Sequence, residues 1–337
     1  MLVFGVIISS VCMFVACGKN EEPPQQPQVG NMWSQVATNV FEIPDFNEGF
    51  VPQGLCYDEE QGAFLLSGYM ADGSNSRIYV VDAAQNRHKY FTLAVNGGTV
   101  DGGVLSRGHF GGIATAGAWG YVATNGCVLR FSLEAAHEAE NGGSVPTQGV
   151  VQTPTCADFC CADGNGLWVG EYYYPYLFET DPTHHVTVSA TETNYALAVF
   201  YPFDNTSETG LATTPTRALS LPKLVQGMEV LSDGRVLLSM SNIYAESKIN
   251  LYSDYKLLEQ QEIVLDGATL PLQVLSSGSL QAAITAPPMS EGIVCRDGKL
   301  FVLFESAATK YSFLGGDKID HVQSANLAEL QVIASAK

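Results

Sequence analysis

The chain contains 337 residues, of which 46% are hydrophobic and only 15% are charged. This composition supplies enough apolar side chains for a sizeable core and excludes global disorder. Acidic residues outnumber basic ones by 35 to 16, and the resulting formal net charge of −19 argues against binding to nucleic-acid phosphates.

The first 16 residues form an uncharged and almost wholly apolar segment. It is shorter than the ~20 residues of a membrane-spanning helix and suits the apolar region of an export signal. Cys17 follows Phe14-Val15-Ala16 and precedes Gly18, an arrangement that resembles a bacterial lipobox. The sequence therefore predicts a signal peptide at 1–16 and lipid attachment at Cys17, with a plain cleaved signal or a buried apolar strand as alternatives.

Residues 17–32 are expected to form a tether between this lipid anchor and a folded domain at 33–337. Residues 19–31 read KNEEPPQQPQVGN, a segment rich in Pro, Gln and Glu that stays solvated. The predicted location is the cell envelope, where the lipid anchors the protein to the outer membrane or cell surface. Secretion is the alternative.

The repeated part of the chain begins near residue 50. Five segments share one pattern, in which a polar residue or glycine precedes a short apolar strand, a turn and a second apolar strand. Asp-Gly turns such as Asp233-Gly234 and Asp297-Gly298 favour hairpins, because both positions adopt positive φ. The five segments are 52–67, 109–124, 157–170, 225–239 and 290–303. Third strands are predicted at 77–82, 128–132 and 249–252, and fourth strands at 90–93 and 262–265.

Small antiparallel units that repeat along a chain predict a β-propeller, because each sheet must pack against its neighbours. The clearest helical stretch, Leu133–Glu140, is short. We expect an all-β fold with a single five-bladed propeller, in which a strand around Val40–Ile43 completes the last blade. Six blades are the alternative, with a degenerate blade in 173–224 or 266–289. The hairpins also permit a β-sandwich.

Six cysteines lie beyond the signal and the lipidation candidate. An exported protein can form disulfides, and six cysteines allow 15 pairings. Cys156 and Cys160 bracket a short loop and form the easiest local pair, whereas the vicinal Cys160 and Cys161 should point to opposite faces of a strand. We favour buried thiols with one or two bridges over a structural zinc site. The six are Cys56, Cys127, Cys156, Cys160, Cys161 and Cys295.

Several segments resemble a group of secreted bacterial β-propeller proteins that have no assigned activity. The resemblance covers roughly residues 50–313 and implies fold and export but no reaction. Its segments are Gln53-Gly54-Leu55, 109–113, Gln226-Gly227-Met228, 286–293 and 300–311.

Phe50–Leu55 is also similar to the first-blade opening of plant-type glutaminyl cyclases, which are five-bladed propellers. Ser67–Ile78 falls where that family carries a glycine- and serine-rich loop. The family places its catalytic Glu at the end of the preceding strand. This sequence has Leu66 or Ser67 there, so the resemblance does not supply the proton-shuttling residue.

A propeller brings the loops that lead into its inner strands to one end of a central channel. Carboxylates, amides and an imidazole from separate blades should therefore form a polar pocket there, with Arg107 nearby. The candidate pocket residues are Gln53, His109, Asp158, Gln226, Glu229 and Glu291.

Three uses of such a pocket remain open, beside the alternative that these side chains only bond to the next blade. The favoured function is binding of a small polar ligand, a glycan or a protein partner. Asp158 and Glu291 could instead hold Ca²⁺, which prefers oxygen ligands, in a metal-dependent hydrolase that resembles propeller lactonases. His109 beside a carboxylate could act as a general base.

Other polar and aromatic residues are secondary candidates. Glu171 and Glu305 both follow a second strand and are expected at the same end of the propeller. Tyr172–Tyr176 forms an aromatic loop that suits sugar stacking or interface packing. His184-His185 is predicted to lie in a solvated turn.

Overall fold

The computed structural model describes residues 31–95, 99–100, 103–104 and 107–335. The predicted signal peptide at 1–16, the lipidation candidate Cys17 and most of the tether lie outside these ranges. Within them, no helix is long and apolar enough to cross a membrane.

Antiparallel pairing groups most strands into four-stranded units. The chain begins with β1 (Thr38–Glu42). The first unit contains β2 (Phe50–Asp58), β3 (Ala63–Met70), β4 (Arg77–Asp82) and β5 (Arg87–Ala94), paired in that order. Two short strands, β6 (Thr99–Val100) and β7 (Gly103–Val104), pair with each other. The second unit contains β8 (Ile113–Ala116), β9 (Trp119–Thr124), β10 (Cys127–Ser132), helix α1 (Leu133–Glu138) and β11 (Gly143–Gln152).

The remaining units follow the same order. The third contains β12 (Phe159–Ala162), β13 (Gly166–Gly170), β16 (Ala196–Pro202) and β17 (Arg217–Leu221), with a hairpin of β14 (Val186–Ser189) and β15 (Glu192–Asn194) inserted. The fourth contains β18 (Val225–Val230), β19 (Arg235–Met240), β20 (Ser247–Asp254) and β23 (Leu280–Ala286), with β21 (Gln260–Leu265) and β22 (Ala268–Val274) inserted. The fifth contains β24 (Ser290–Arg296), β25 (Lys299–Phe304), β26 (His321–Asn326) and β1, and α2 (Leu327–Ser335) follows it.

The innermost strands β2, β8, β12, β18 and β24 contact one another in a closed ring. This radial arrangement of antiparallel sheets is a β-propeller, as the sequence predicts, and not a sandwich. The ring depends on close backbone approach. A methyl group on Gly112 would lie 2.4 Å from the Cys160 backbone nitrogen, and one on Gly292 would lie 2.4 Å from that of Leu55.

The N-terminal strand completes the fifth unit. Strand β1 pairs antiparallel with β26, with Thr38 opposite Ser324, as predicted for the strand around Val40–Ile43. Trp33, just before β1, is fully buried, and its Nε1 donates to Oε1 of Gln323 at 2.9 Å. The two ends of the described chain are therefore joined within one sheet.

One strand prediction assigned the wrong partner. The predicted third strand at 77–82 coincides with β4, and 90–93 lies inside β5. Residues 262–265 do form a strand, but β21 pairs with β22, and β22 lies parallel to β17 on the edge of the third unit. Asp266 and Gly267 both have positive φ and turn the chain back into this hairpin. The outer strand of the fourth unit is consequently β23.

The regions considered for a sixth blade have other roles. Residues 173–224 supply β14–β17, and residues 266–289 supply β22 and β23 to the edges of the third and fourth units. The short helix predicted at Leu133–Glu140 is α1, which begins after Ser132, whose hydroxyl accepts a hydrogen bond from the Ala135 backbone nitrogen.

All six cysteines beyond the N-terminal region are free thiols in the structure. The expected local bridge between Cys156 and Cys160 is not formed. Cys156 is exposed, whereas the buried Cys160 directs its sulfur to the Gly112 carbonyl at 3.4 Å in the second unit. Cys160 and Cys161 belong to different apolar clusters, which confirms the prediction that they face opposite sides.

Candidate functional site

Three predicted pocket residues lie at β-bulges of the inner strands. The pairing of β2 with β3 skips Gln53, and that of β18 with β19 skips Gln226. The pairing of β24 with β25 has one extra residue at Glu291-Gly292. A bulge redirects a side chain out of the regular alternation and is frequent beside binding sites. These three bulges place Gln53, Gln226 and Glu291 around the same cavity.

This cavity, here called the central pocket, has a volume of about 520 Å³. The structure brings five of the six candidate residues to its wall. They are Gln53, His109, Asp158, Gln226 and Glu291. The rest of the wall consists of Tyr69, Tyr172, Phe178, Ser241, Asn242, Ile243, Glu305, Lys310 and Tyr311.

The sixth candidate, Glu229, lines a separate cavity of about 220 Å³, so the prediction that it joins the pocket is wrong. Glu229 follows Gln226 by three residues on β18, which separates them by ~10 Å along a strand. Gln226 is the extra residue of the bulge and leaves the regular alternation of β18, whereas Glu229 is paired regularly with Leu237. Burial raises the pKa of Glu229 to about 8. Its cavity is also lined by Cys56, Cys160, Cys161 and Cys295.

Arg107 was expected near the pocket and also lies elsewhere. It lines a surface cavity beside Arg77 and Tyr90, on the outer strands of the first unit. Since Arg107 precedes the inner strand β8 by six residues, the loop between them has enough length to carry it away from the channel.

Two buried carboxyl groups, Glu291 and Glu305, line the central pocket. The Gln53 side-chain nitrogen donates to Oε2 of Glu305 at 2.8 Å and to the Pro52 carbonyl at 2.8 Å. In the described parts of the chain, Oε1 of Glu291 has no hydrogen-bond partner. Burial raises the pKa of both carboxyls, and the nearby Glu305 charge raises that of Glu291 further. The pair therefore keeps a proton near neutral pH.

Aromatic side chains form much of the remaining wall. Tyr69, Tyr172, Phe178 and Tyr311 supply apolar faces that suit carbon chains and can also attract a cation. Lys310 shows this geometry, because its Nζ lies 4.7 Å from the centre of the Tyr69 ring. Burial lowers the pKa of Lys310, although the Glu305 charge opposes this effect.

His109 lies against Tyr69, with a ring-centre distance of 4.5 Å, and has accessible surface facing the cavity. The surrounding protein and the Lys310 charge lower the pKa of His109 to about 4. The imidazole is therefore neutral at neutral pH. No hydrogen bond joins His109 to a carboxylate in the part of the chain that the structure describes, so the geometry does not form the predicted general-base pair.

Asp158 precedes β12 and accepts a hydrogen bond at Oδ2 from the Tyr172 backbone nitrogen at 2.7 Å. Burial raises the pKa of Asp158 to about 7, although this hydrogen bond acts in the opposite direction. Asp158 and His109 also line a second cavity, of about 670 Å³, here called the side cavity. The two cavities therefore adjoin.

The side cavity contains a buried Glu171–His184 pair. Nδ1 of His184 lies 2.9 Å from Oε1 of Glu171, which also accepts from the Leu197 backbone nitrogen at 3.0 Å. Burial lowers the pKa of His184, but the hydrogen bond and the Glu171 charge outweigh burial and raise it. The predicted solvated turn is wrong for His184, which is buried because its ring bonds to Glu171. Cys156 and Asp181 complete the polar wall.

The described residues do not group into a metal site. Among the residues described, no three His, Cys, Asp or Glu side chains are grouped so that they could hold a metal ion. Asp158 and Glu291 line the same pocket, but among the described residues they are not part of such a group of three, so the Ca²⁺ hypothesis gains no support from the structure.

Tyr69 and Tyr311 are pocket residues that the sequence analysis did not name as candidates, whereas Glu305 was a secondary candidate. Glu305 directly follows β25, as Glu171 follows β13, and that shared position is the signal by which both carboxylates can be found. The two tyrosines carry no such signal. Tyr69 is one of many strand aromatics, and Tyr311 lies in a helical turn outside the repeated pattern.

No family model matches the chain, and no curated protein sequence matches it. Among solved structures, the chain is similar to the glutaminyl cyclase of Myxococcus xanthus, with 14% identity, a TM-score of 0.42, and coverage of 80% of this chain and 92% of that one. It is also similar to regucalcin, a calcium-binding protein of Agrobacterium tumefaciens, with 10% identity, a TM-score of 0.35, and coverage of 85% and 93%. At such low identity these likenesses concern the fold alone.

Proposed function

We propose that this protein is a cell-envelope lipoprotein whose propeller binds a small polar ligand in the central pocket. The observation that carries this proposal is Oε1 of Glu291, a buried carboxylate oxygen without a partner in the described structure, on the wall of a cavity of about 520 Å³. An unpaired buried polar group costs ~1–3 kcal/mol. A ligand that donates a hydrogen bond to Glu291 removes that cost.

The surrounding side chains suit a ligand with both polar and carbon-rich parts. Gln226 offers an amide for orientation, and Gln53 is held in place by its bond to Glu305. The aromatic residues cover apolar portions of the ligand. Few polar groups at fixed positions within a partly apolar cavity are typical of small-molecule sites.

A thermal-shift screen with amino acids, short peptides, sugars and alkylamines tests this proposal. We expect at least one class to raise the melting temperature of the wild-type protein by several degrees. Glu291→Gln should reduce this shift, because an amide cannot ionise and therefore offers no negative charge to the ligand. Glu134→Gln is the matched control, since Glu134 is exposed on α1 and lines neither cavity. Equal shifts in the wild type and Glu291→Gln would contradict the proposal.

General acid–base catalysis is a second candidate function, favoured by the buried Glu291–Glu305 pair that retains a proton near neutral pH. The reaction class is cyclisation of an N-terminal glutamine, as in the enzyme of Myxococcus xanthus. Leu66 or Ser67 stands where the family's catalytic Glu is expected, so Glu305, which follows β25, would supply the acid in this chain. Ammonia release from glutaminyl peptides tests it, and Glu305→Gln should lower the rate ~10²–10⁴-fold. Absence of turnover by the wild type would leave binding alone.

The envelope location rests on the N-terminal sequence. The apolar segment 1–16, Cys17 and the polar segment after it are the arrangement expected of a lipid-anchored protein. Wild-type protein expressed in a bacterial host should incorporate a labelled fatty acid and sediment with membranes. Cys17→Ser should remove both properties, and label retained by that variant would contradict the assignment.

A further inference from the structure

We infer that the natural ligand is a linear molecule with two ammonium groups, a diamine or polyamine, that spans the central pocket and the side cavity. The inference rests on the proposed binding function and specifies its ligand class.

Each cavity contains a carboxylate oxygen that needs a donor. Seven buried side-chain nitrogen or oxygen atoms in the described residues have no hydrogen-bond partner, and only two of the seven belong to carboxylates. They are Oε2 of Glu171, a residue that lines the side cavity, and Oε1 of Glu291, a residue that lines the central pocket. Both residues are about 1% exposed. An ammonium group in the side cavity would donate a hydrogen bond to Glu171, and a second one in the central pocket would donate to Glu291.

The two cavities adjoin at His109 and Asp158, which line both. Oδ2 of Asp158 bonds to the backbone nitrogen of Tyr172, the residue that follows Glu171. Tyr172 in turn lines the central pocket, and its hydroxyl contacts the Ser241 carbonyl at 3.3 Å. A linear ligand that runs from Glu171 to Glu291 therefore passes beside Asp158 and an aromatic wall.

The charges along this path favour a cation. The carboxyl groups that line the two cavities outnumber the cations. Lys310 is already placed beside Tyr69 and Glu305, His184 bonds to Glu171, and His109 is neutral because its pKa is low. An anionic ligand would face repulsion from both ends. The lining carboxyl groups are Asp158, Glu171, Asp181, Glu291 and Glu305.

Protonation reduces the repulsion among these buried acids. Burial raises the pKa of Asp158, Glu291 and Glu305, so protons partly neutralise them without ligand. An arriving ammonium group supplies positive charge and displaces protons. Binding should therefore release protons from the carboxyl groups. The phenols of Tyr69, Tyr172 and Tyr311, which also face the carboxyl pair, keep their protons because the pKa of each is raised. Burial lowers the pKa of Lys310, and the nearby Glu305 charge opposes that effect.

Titration calorimetry with α,ω-diaminoalkanes, from diaminopropane to diaminododecane, and with monoamines of matching length tests the inference. We expect the diamine affinity to peak at one chain length and to exceed that of the matching monoamine about tenfold or more, a factor equivalent to ~1.4 kcal/mol. Glu171→Gln should reduce the diamine affinity to the monoamine level while the monoamine affinity stays unchanged. Heats measured in buffers of different ionisation enthalpy should show proton release.

Asp181→Asn provides a second variant if Glu171→Gln does not fold, because Asp181 is exposed and lines the same cavity. It should lower the diamine affinity severalfold, whereas the control Glu134→Gln should leave it unchanged. Equal affinity for diamines and monoamines, or no effect of the side-cavity variants, would overturn the inference. If monoamines or another screened class still bind through Glu291, the proposed function survives that result. If no probe binds, both fail.

Discussion

Ala157, Leu224 and Met289 adopt positive φ although none of them is glycine. Each lies within two residues of a pocket side chain, because Asp158, Gln226 and Glu291 follow them. The left-handed conformation costs an L-residue ~1–2 kcal/mol and persists only where the surrounding structure enforces it, often at functional sites. Backbone strain therefore occurs where three of the inner strands present a side chain to the central pocket.

Ala157→Gly should raise the free energy of unfolding by about 1 kcal/mol, because glycine adopts φ near +54° without the steric cost. Urea denaturation measures this change. Ala135→Gly in α1 is the opposite control and should lower stability by about 1 kcal/mol, since glycine disfavours a helix. A loss of stability in Ala157→Gly would show that the strain at this position is overestimated.

Glu229→Gln should make the protein less sensitive to alkaline pH. Burial raises the pKa of Glu229 to about 8, above its value of ~4.3 in the unfolded chain. Glu229 therefore binds its proton more tightly in the folded protein than in the unfolded chain. The free energy of unfolding falls as pH rises from ~4.3, the pKa of Glu in the unfolded chain, through about 8, its pKa in the folded protein. Glutamine does not ionise, so the variant should gain relative stability across that window, by up to ~5 kcal/mol.

Thermal unfolding from pH 4 to pH 9 measures the difference between wild type and Glu229→Gln. The two curves should lie close together at the acidic end and diverge as pH increases. Parallel curves over the whole range would mean that Glu229 ionises freely in the folded protein.

Glycine allows the backbones of neighbouring inner strands to approach each other closely. A Cβ atom on Gly292 would lie 2.4 Å from the Leu55 backbone nitrogen, and no side-chain adjustment can relieve a clash with backbone. Gly292→Ala should therefore separate β24 from β2 and lower the free energy of unfolding by more than ~2 kcal/mol. Gly315→Ala is the matched control, because a methyl group there meets no atom within 4 Å.

Urea denaturation of the two alanine variants decides this prediction. A Gly292→Ala protein as stable as Gly315→Ala would contradict the close packing of the inner ring. Reduced ligand binding in Gly292→Ala would further connect this packing to the pocket, since Glu291 is the neighbouring residue.

Strand identity could be predicted from local sequence, whereas strand partnership could not. RIYVVD is a run of β-branched, aromatic and apolar residues between turn signals, and it forms β4 with the predicted bounds. Residues 262–265 carry the same local signal, but their sheet is chosen by the contact of β22 with β17, about 50 residues earlier in the chain. No local pattern encodes that choice.

The composition of the central pocket could be predicted from the sequence only in part. The converging loops could be predicted, and they place Gln53, Gln226 and Glu291 together. The bulge at Gln226 could not be read from the sequence, although it distinguishes the placement of Gln226 from that of Glu229, which lines another cavity. Lys310 and Tyr311 come from a turn outside the repeated pattern, so only the folded chain brings them to the pocket.

At the scale of the whole molecule, the ring is closed by pairing between the first and last strands of the described chain. Strand β1 completes the sheet of β24–β26, and Trp33, Phe41 and Ile43 are buried beside it. Without β1, the edge of β26 would expose unpaired backbone groups and apolar surface.

A chain that begins at residue 45 should therefore lose about 5 kcal/mol of stability or more, because burial of three large apolar side chains contributes ~1.5–3 kcal/mol each. A chain that begins at Asn31 keeps β1 and is the control. Differential scanning calorimetry compares the two melting temperatures. Equal temperatures would show that the ring does not need this closure.

A crystal structure of the protein with the strongest ligand from the amine and polar-metabolite screens tests the central claim most directly. We expect ligand density within hydrogen-bond distance of Glu291, between the aromatic walls of the central pocket, with an extension past Asp158 toward Glu171. Density on the outer surface of the blades with the central pocket empty, at a concentration that saturates binding in solution, would contradict the claim.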